Sequence, residues 1–144
     1  MPLDRALARI SWAGFRSVEL FLSPAHPLPE AAALAGLLEA ADLALAGVDA
    51  GALGGENETA CRETAAHLGR CAVLAQNQQA NRVVCDLAIA AEPSARQILS
   101  RLLAALAPVP VLFCLRNCPG RPQVPWFEVR GTTSTKQTRP PRPE

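Results

Sequence analysis

Four short apolar segments, each separated from the next by a stretch of helical period, limit this chain's folding more than any other feature. They are F-R-S-V-E-L-F-L at 15–22, L-A-L-A-G-V-D at 43–49, R-V-V-C-D-L-A at 82–88 and V-P-V-L-F-C-L at 109–115. β-branched and aromatic residues in runs this short predict strands. Before and between them, apolar side chains recur three and four residues apart, as one helix face requires. Leu3, Leu7 and Ile10 predict a helix over Leu3 to Ala13, and Leu34, Leu37, Leu38 and Ala41 predict one from near Glu30. Ala65, Leu68, Ala72 and Ala75 predict a third, running to about Gln79 with Glu56 and Glu58 at its positive end; Ile98, Leu102 and Leu106 predict a fourth, from Ser94 to the stop at Pro108. Helix and strand alternating in this way specify an α/β fold with a parallel sheet and right-handed crossovers.

The glycines of Gly51 to Gly55 predict a turn after the second strand, and the prolines between Ser23 and Pro29 a loop after the first. Beyond Gly120 the alternation fails. Five prolines and the run Thr132 to Lys136 predict a disordered tail over 122–144. The 144 residues are too few for a complete eight-stranded α/β barrel, which takes roughly 200 or more.

A net charge of +1 gives no basic field for nucleic acid, and the longest apolar runs are far shorter than the about 20 residues of a membrane span. The N-terminus has no charged segment leading into an apolar one, so a cytoplasmic location is expected. Five cysteines with no C-x-x-C pair fit reduced thiols. Cys61, Cys71 and Cys85 read as small core residues, and Cys114 with Cys118 falls short of a zinc ligand set.

Three phrases carry a resemblance: A-G-F-R-S-V-E-L-F at 13–21, L-L-E-A-A-D-L-A-L-A-G-V-D-A-G at 37–51 and V-P-V-L-F-C-L-R-N-C-P-G-R at 109–121. They resemble the sugar phosphate isomerase/epimerase family, the xylose-isomerase-like barrels that also include the type 2 AP endonucleases. The resemblance implies a partial (β/α)8 TIM barrel over 1–121, with about four parallel strands and four helices. It also implies a divalent metal (Mn, Mg or Zn) at the barrel mouth and a sugar or sugar phosphate as substrate, with a proton moved beside the sugar carbonyl.

Carried onto this chain, the resemblance makes Glu19 and Asp49 the candidate catalytic residues. Glu19 either faces the barrel mouth or lies on a solvent-facing strand. Asp49 stands where the family often has histidine, and it either meets substrate or caps the glycine turn. His26, Asp86, Arg116 and Asn117 are the candidate substrate-binding residues, although His26 reads more readily as a surface histidine and Asp86 can equally be a plain polar strand end. Where the family reads Leu-Glu-Asn at the end of its fifth strand and the glutamate binds metal, this chain reads Leu115-Arg116-Asn117. Arginine cannot ligate a cation, although it can clamp a phosphate. The expectation is therefore a truncated member that binds no metal and does not turn over substrate alone. The alternative is a noncatalytic phosphosugar-binding half-barrel or an inactive remnant, and in either case the open barrel edges are expected to drive self-association.

Overall fold

A computed structural model describes residues 1–54, 56–87, 97–98, 100–101 and 104–116. It is an α/β unit of three helices and one parallel sheet: α1 (Leu3–Trp12), β1 (Ser17–Phe21), α2 (Ala31–Ala40), β2 (Ala44–Leu53), α3 (Glu58–Asn77), β3 (Arg82–Leu87) and β4 (Leu112–Leu115). The sequence predicts four helices and three stand among the described residues, since the expected helix from Ser94 falls largely outside them. So do Asn117, Cys118 and the expected tail.

The helices start and stop for local reasons. Asn57 caps α3, its side-chain oxygen accepting from the Ala60 N–H at 2.9 Å, and Glu58 pairs with Arg62 one turn on at 2.6 Å. α2 is stopped just past its Ala41 cap by Asp42, whose φ of 54° is the left-handed conformation that aspartate tolerates better than most residues. Among the described residues no helix is long and apolar enough to cross a membrane.

The strands lie in the order β1-β2-β3-β4, each parallel to its neighbours. An order that never reverses, joined by right-handed crossovers, puts every connecting helix on the same face. Burial agrees with this. Leu20, Val48, Ala50, Val83 and Cys85 point to the helices and are buried with Leu34, Leu68, Cys71 and Ala75. α3 packs on β2 and β3, and α2 on β2. Each fully buried leucine or valine contributes about 1.5–3 kcal/mol by leaving water. The alternate residues Glu19, Phe21, Asp49, Arg82, Asp86, Leu112 and Cys114 are at most partly buried and belong to the opposite face, on which no helix packs among the described residues.

β2 does not end at Asp49 as expected. It runs on to Leu53 because Gly51 takes φ 76° and the pairing with β3 shifts between Asp49 and Ala52, so the glycine makes a bulge rather than a turn. A side chain at Gly51 would also meet the Phe21 ring at 3.0 Å.

Candidate functional site

In a sheet whose strand order reverses, ligands settle at the reversal; one without reversal offers only the mouth at the carboxyl ends of its strands. Here that mouth is charged. Arg116 follows β4, its backbone N–H donating to the Cys85 carbonyl of β3 at 2.9 Å, and this bond fixes where its side chain begins. The guanidinium then reaches back over both neighbouring strands. Its Nε and Nη2 donate to the two oxygens of Asp86 on β3, each at 2.9 Å. Its Nη1 donates to Asp49 Oδ2 on β2 at 2.9 Å, with a longer contact of 3.5 Å from Nη2 to Oδ1. Asp49 Oδ1 also accepts the Gly51 N–H at 2.9 Å, so one carboxylate holds the bulge and the arginine together.

Charge-assisted bonds of this forked kind are the stronger class. They raise the Arg116 pKa well above its ordinary value, the hydrogen bonds it donates to Asp86 contributing most and those to Asp49 next. Asp49 and Asp86 are mostly covered, at 13% and 15% side-chain exposure, whereas Arg116 keeps 47%. Two carboxylates and one guanidinium leave the cluster at −1. Four of the five guanidinium N–H bonds are directed at carboxylate oxygens, which leaves Arg116 little to offer an incoming anion.

One level nearer the amino ends of the strands, Glu19 pairs with Arg82 across β2, Oε2 to Nη2 at 3.2 Å. Phe21 stands beside Asp49 in the β1–β2 register and is 65% exposed. Among the expected site residues, then, Asp49, Asp86 and Arg116 form one cluster and Glu19 joins the same bare face through Arg82. His26 sits apart. It is exposed in a turn that its N–H closes on the Ser23 carbonyl at 3.1 Å, with no side-chain bond to the cluster among the described residues.

Two residues of consequence escape the sequence reading. Arg82 was read only as the start of a strand. His67 is 1% exposed on α3 and donates from Nε2 to the Leu22 carbonyl at 2.9 Å, tying the helix to the end of β1, while its Nδ1 is buried without a hydrogen-bond partner among the described residues. Its spacing from Thr64 and Cys71, three and four residues, was the signal that placed it on the buried face.

The donor set does not fit a divalent metal. The two clustered carboxylates are already held by a cation, and no group of three or more His, Cys, Asp or Glu side chains that could hold one occurs among the described residues. No family model, curated protein or solved structure matches the chain.

Proposed function

We propose that this chain is a partial (β/α) barrel of the sugar phosphate isomerase/epimerase type that binds a sugar at the carboxyl ends of its strands and does not catalyse its conversion as it stands. The observation that carries the proposal is the convergence of Asp49, Asp86 and Arg116 at that end of the bare face. A carboxylate oxygen carries two lone pairs, so Asp49 Oδ2, which accepts from Arg116 Nη1, can accept a second bond from a sugar hydroxyl. Phe21, next to Asp49, supplies an apolar surface for the C–H face of a sugar ring.

The same geometry favours an unphosphorylated sugar over a phosphosugar. A phosphate would have to displace one of the carboxylates from Arg116, and the net negative charge of the cluster opposes it. Catalysis of the family's kind would need an electrophile at the carbonyl. The cation in that position is Arg116, already bound on both sides.

Isothermal titration with neutral aldoses and ketoses, and with their phosphates, tests this with and without Mn. Neutral sugars are expected to bind more tightly than their phosphates, and Asp49→Asn and Phe21→Ala each to weaken binding by about tenfold or more. Tighter binding of phosphates would overturn the neutral-sugar reading; metal-dependent isomerisation would overturn the noncatalytic one.

A further inference from the structure

We propose that the bare face and open edges of this sheet are built to meet a second copy of the chain, β4 of each protomer pairing in parallel with β1 of its partner so that two sheets close into one barrel. The inference goes beyond the sugar-binding reading and does not depend on it.

Strand number and direction come first. Four parallel strands run in unbroken order, and β1 and β4 have no neighbour on their outer sides among the described residues. A closed parallel α/β barrel takes about eight strands. A two-fold axis along the barrel keeps all of them parallel and leaves the helices of both copies outside. The two seams are equivalent by that axis, so the assembly stops at two copies.

Charge then selects this arrangement. Barrel interiors fill in layers of about four side chains, drawn from alternate strands. Glu19 on β1 and Arg82 on β3 come from alternate strands and meet at one level, and β2 contributes only Gly47 between them. They are half of such a layer. A second copy adds the partner's Glu19 and the partner's Arg82, so that the charges alternate around the ring, each guanidinium facing a second carboxylate past Leu112 of β4, the residue beside Arg82 in the β3–β4 register. In the single chain Arg82 is still 47% exposed and Glu19 35%, so each has an open side for that second contact.

Apolar exposure marks the same seams. Among the described side chains of the strands, Phe21 and Leu112 are the large apolar ones left uncovered, at 65% and 66% exposure. One is on β1 and the other on β4, the two strands that would become neighbours.

Sedimentation velocity on the full chain, from one to tens of micromolar, is expected to show a single species of twice the chain mass. Glu19→Arg and Arg82→Glu each fill the shared layer with like charge and should shift the protein to monomer. An equimolar mixture of the two variants should restore the dimer, because opposite charges then face each other at both seams. Within either variant chain the pair remains like-charged, so only pairing between chains produces that rescue. Circular dichroism monitors folding, and Leu112→Glu, at a site already exposed in the single chain, gives an independent disruption if a reversal variant does not fold. A monomer at tens of micromolar, an open-ended series of species, a dimer insensitive to Leu112→Glu, or two folded reversal variants that stay monomeric when mixed would each overturn the proposal.

Discussion

Arg82 reaches Glu19 by crossing over a residue with no side chain: its Nη2 lies 3.2 Å from Glu19 Oε2, and a Cβ on Gly47 would sit 2.7 Å from Arg82 Cγ and 2.9 Å from Nε. The ion pair and the glycine are therefore one feature. Gly47→Ala is expected to push the arginine off its path and destabilise the protein by about 1–3 kcal/mol, as overpacking does. Gly36→Ala is the control. Gly36 lies in α2 with nothing within 4 Å of its Cβ position among the described residues, so the same substitution there should stabilise by about 0.5–1 kcal/mol through helix propensity. Urea denaturation of both variants measures the contrast; a neutral Gly47→Ala would mean that Arg82 has another route.

Asp49 accepts from both a backbone N–H and a guanidinium, and it is only 13% exposed. Asp49→Ala should cost about 1–3 kcal/mol by leaving the Gly51 N–H and part of Arg116 unsatisfied. Hydrogen exchange at Gly51 is the specific readout, and unchanged protection there would contradict the assignment.

Arg116→Glu replaces the cation between Asp49 and Asp86 with a third carboxylate. Repulsion among three carboxylates is expected to lower stability, and any divalent metal gained should bind no tighter than about 0.1 mM, since an unshaped acidic cluster lacks a preformed geometry. Calorimetry with Mn and Zn, on the native chain and on this variant, decides it: a one-per-chain site tighter than about 0.1 mM in either would refute the prediction.

Burial pushes the Cys71 thiol up to about 11 and the Cys85 thiol up to about 12, with nearby Asp86 and Asp49 raising the latter further. Both folded values lie above the ordinary 9.0, so the unfolded chain releases these protons first as pH rises. Stability from these thiols is thus complete below about pH 9 and falls between pH 9 and 12. Cys85→Ala should flatten part of that alkaline decline in a urea series. At neutral pH an alkylating reagent should label the partly exposed Cys114 long before the buried Cys61, Cys71 and Cys85, with mass spectrometry of the peptides as the check.

The strands were legible because short β-branched and aromatic runs such as Arg82 to Leu87 are set apart by helical period long enough to read. The end of β2 was not. A glycine two residues after an aspartate signals a turn in sequence, and only the pairing with β3 that resumes at Ala52 makes it a bulge in a continuing strand. Arg116 stood out as a cation ending an apolar strand, yet its partners did not. Asp49 and Asp86 lie 67 and 30 residues away, and what brings them together is inter-strand register, which no local pattern encodes. The same holds for Arg82 and Glu19, where the informative residue was Gly47, easily read as a weak point in a strand.

A strand order that only ever adds at one side makes this fold a unit of accretion. Each helix-and-strand step lays the next strand beside the last in the same direction, from β1 to β4, so a duplicated gene read through in frame would continue the series without reversing it. Such a chain needs no new connection type and no refolding of the first unit, only a linker long enough to lead from β4 into the next α1. Growth by tandem repetition is open to this topology in a way it is not to a sheet that winds back on itself.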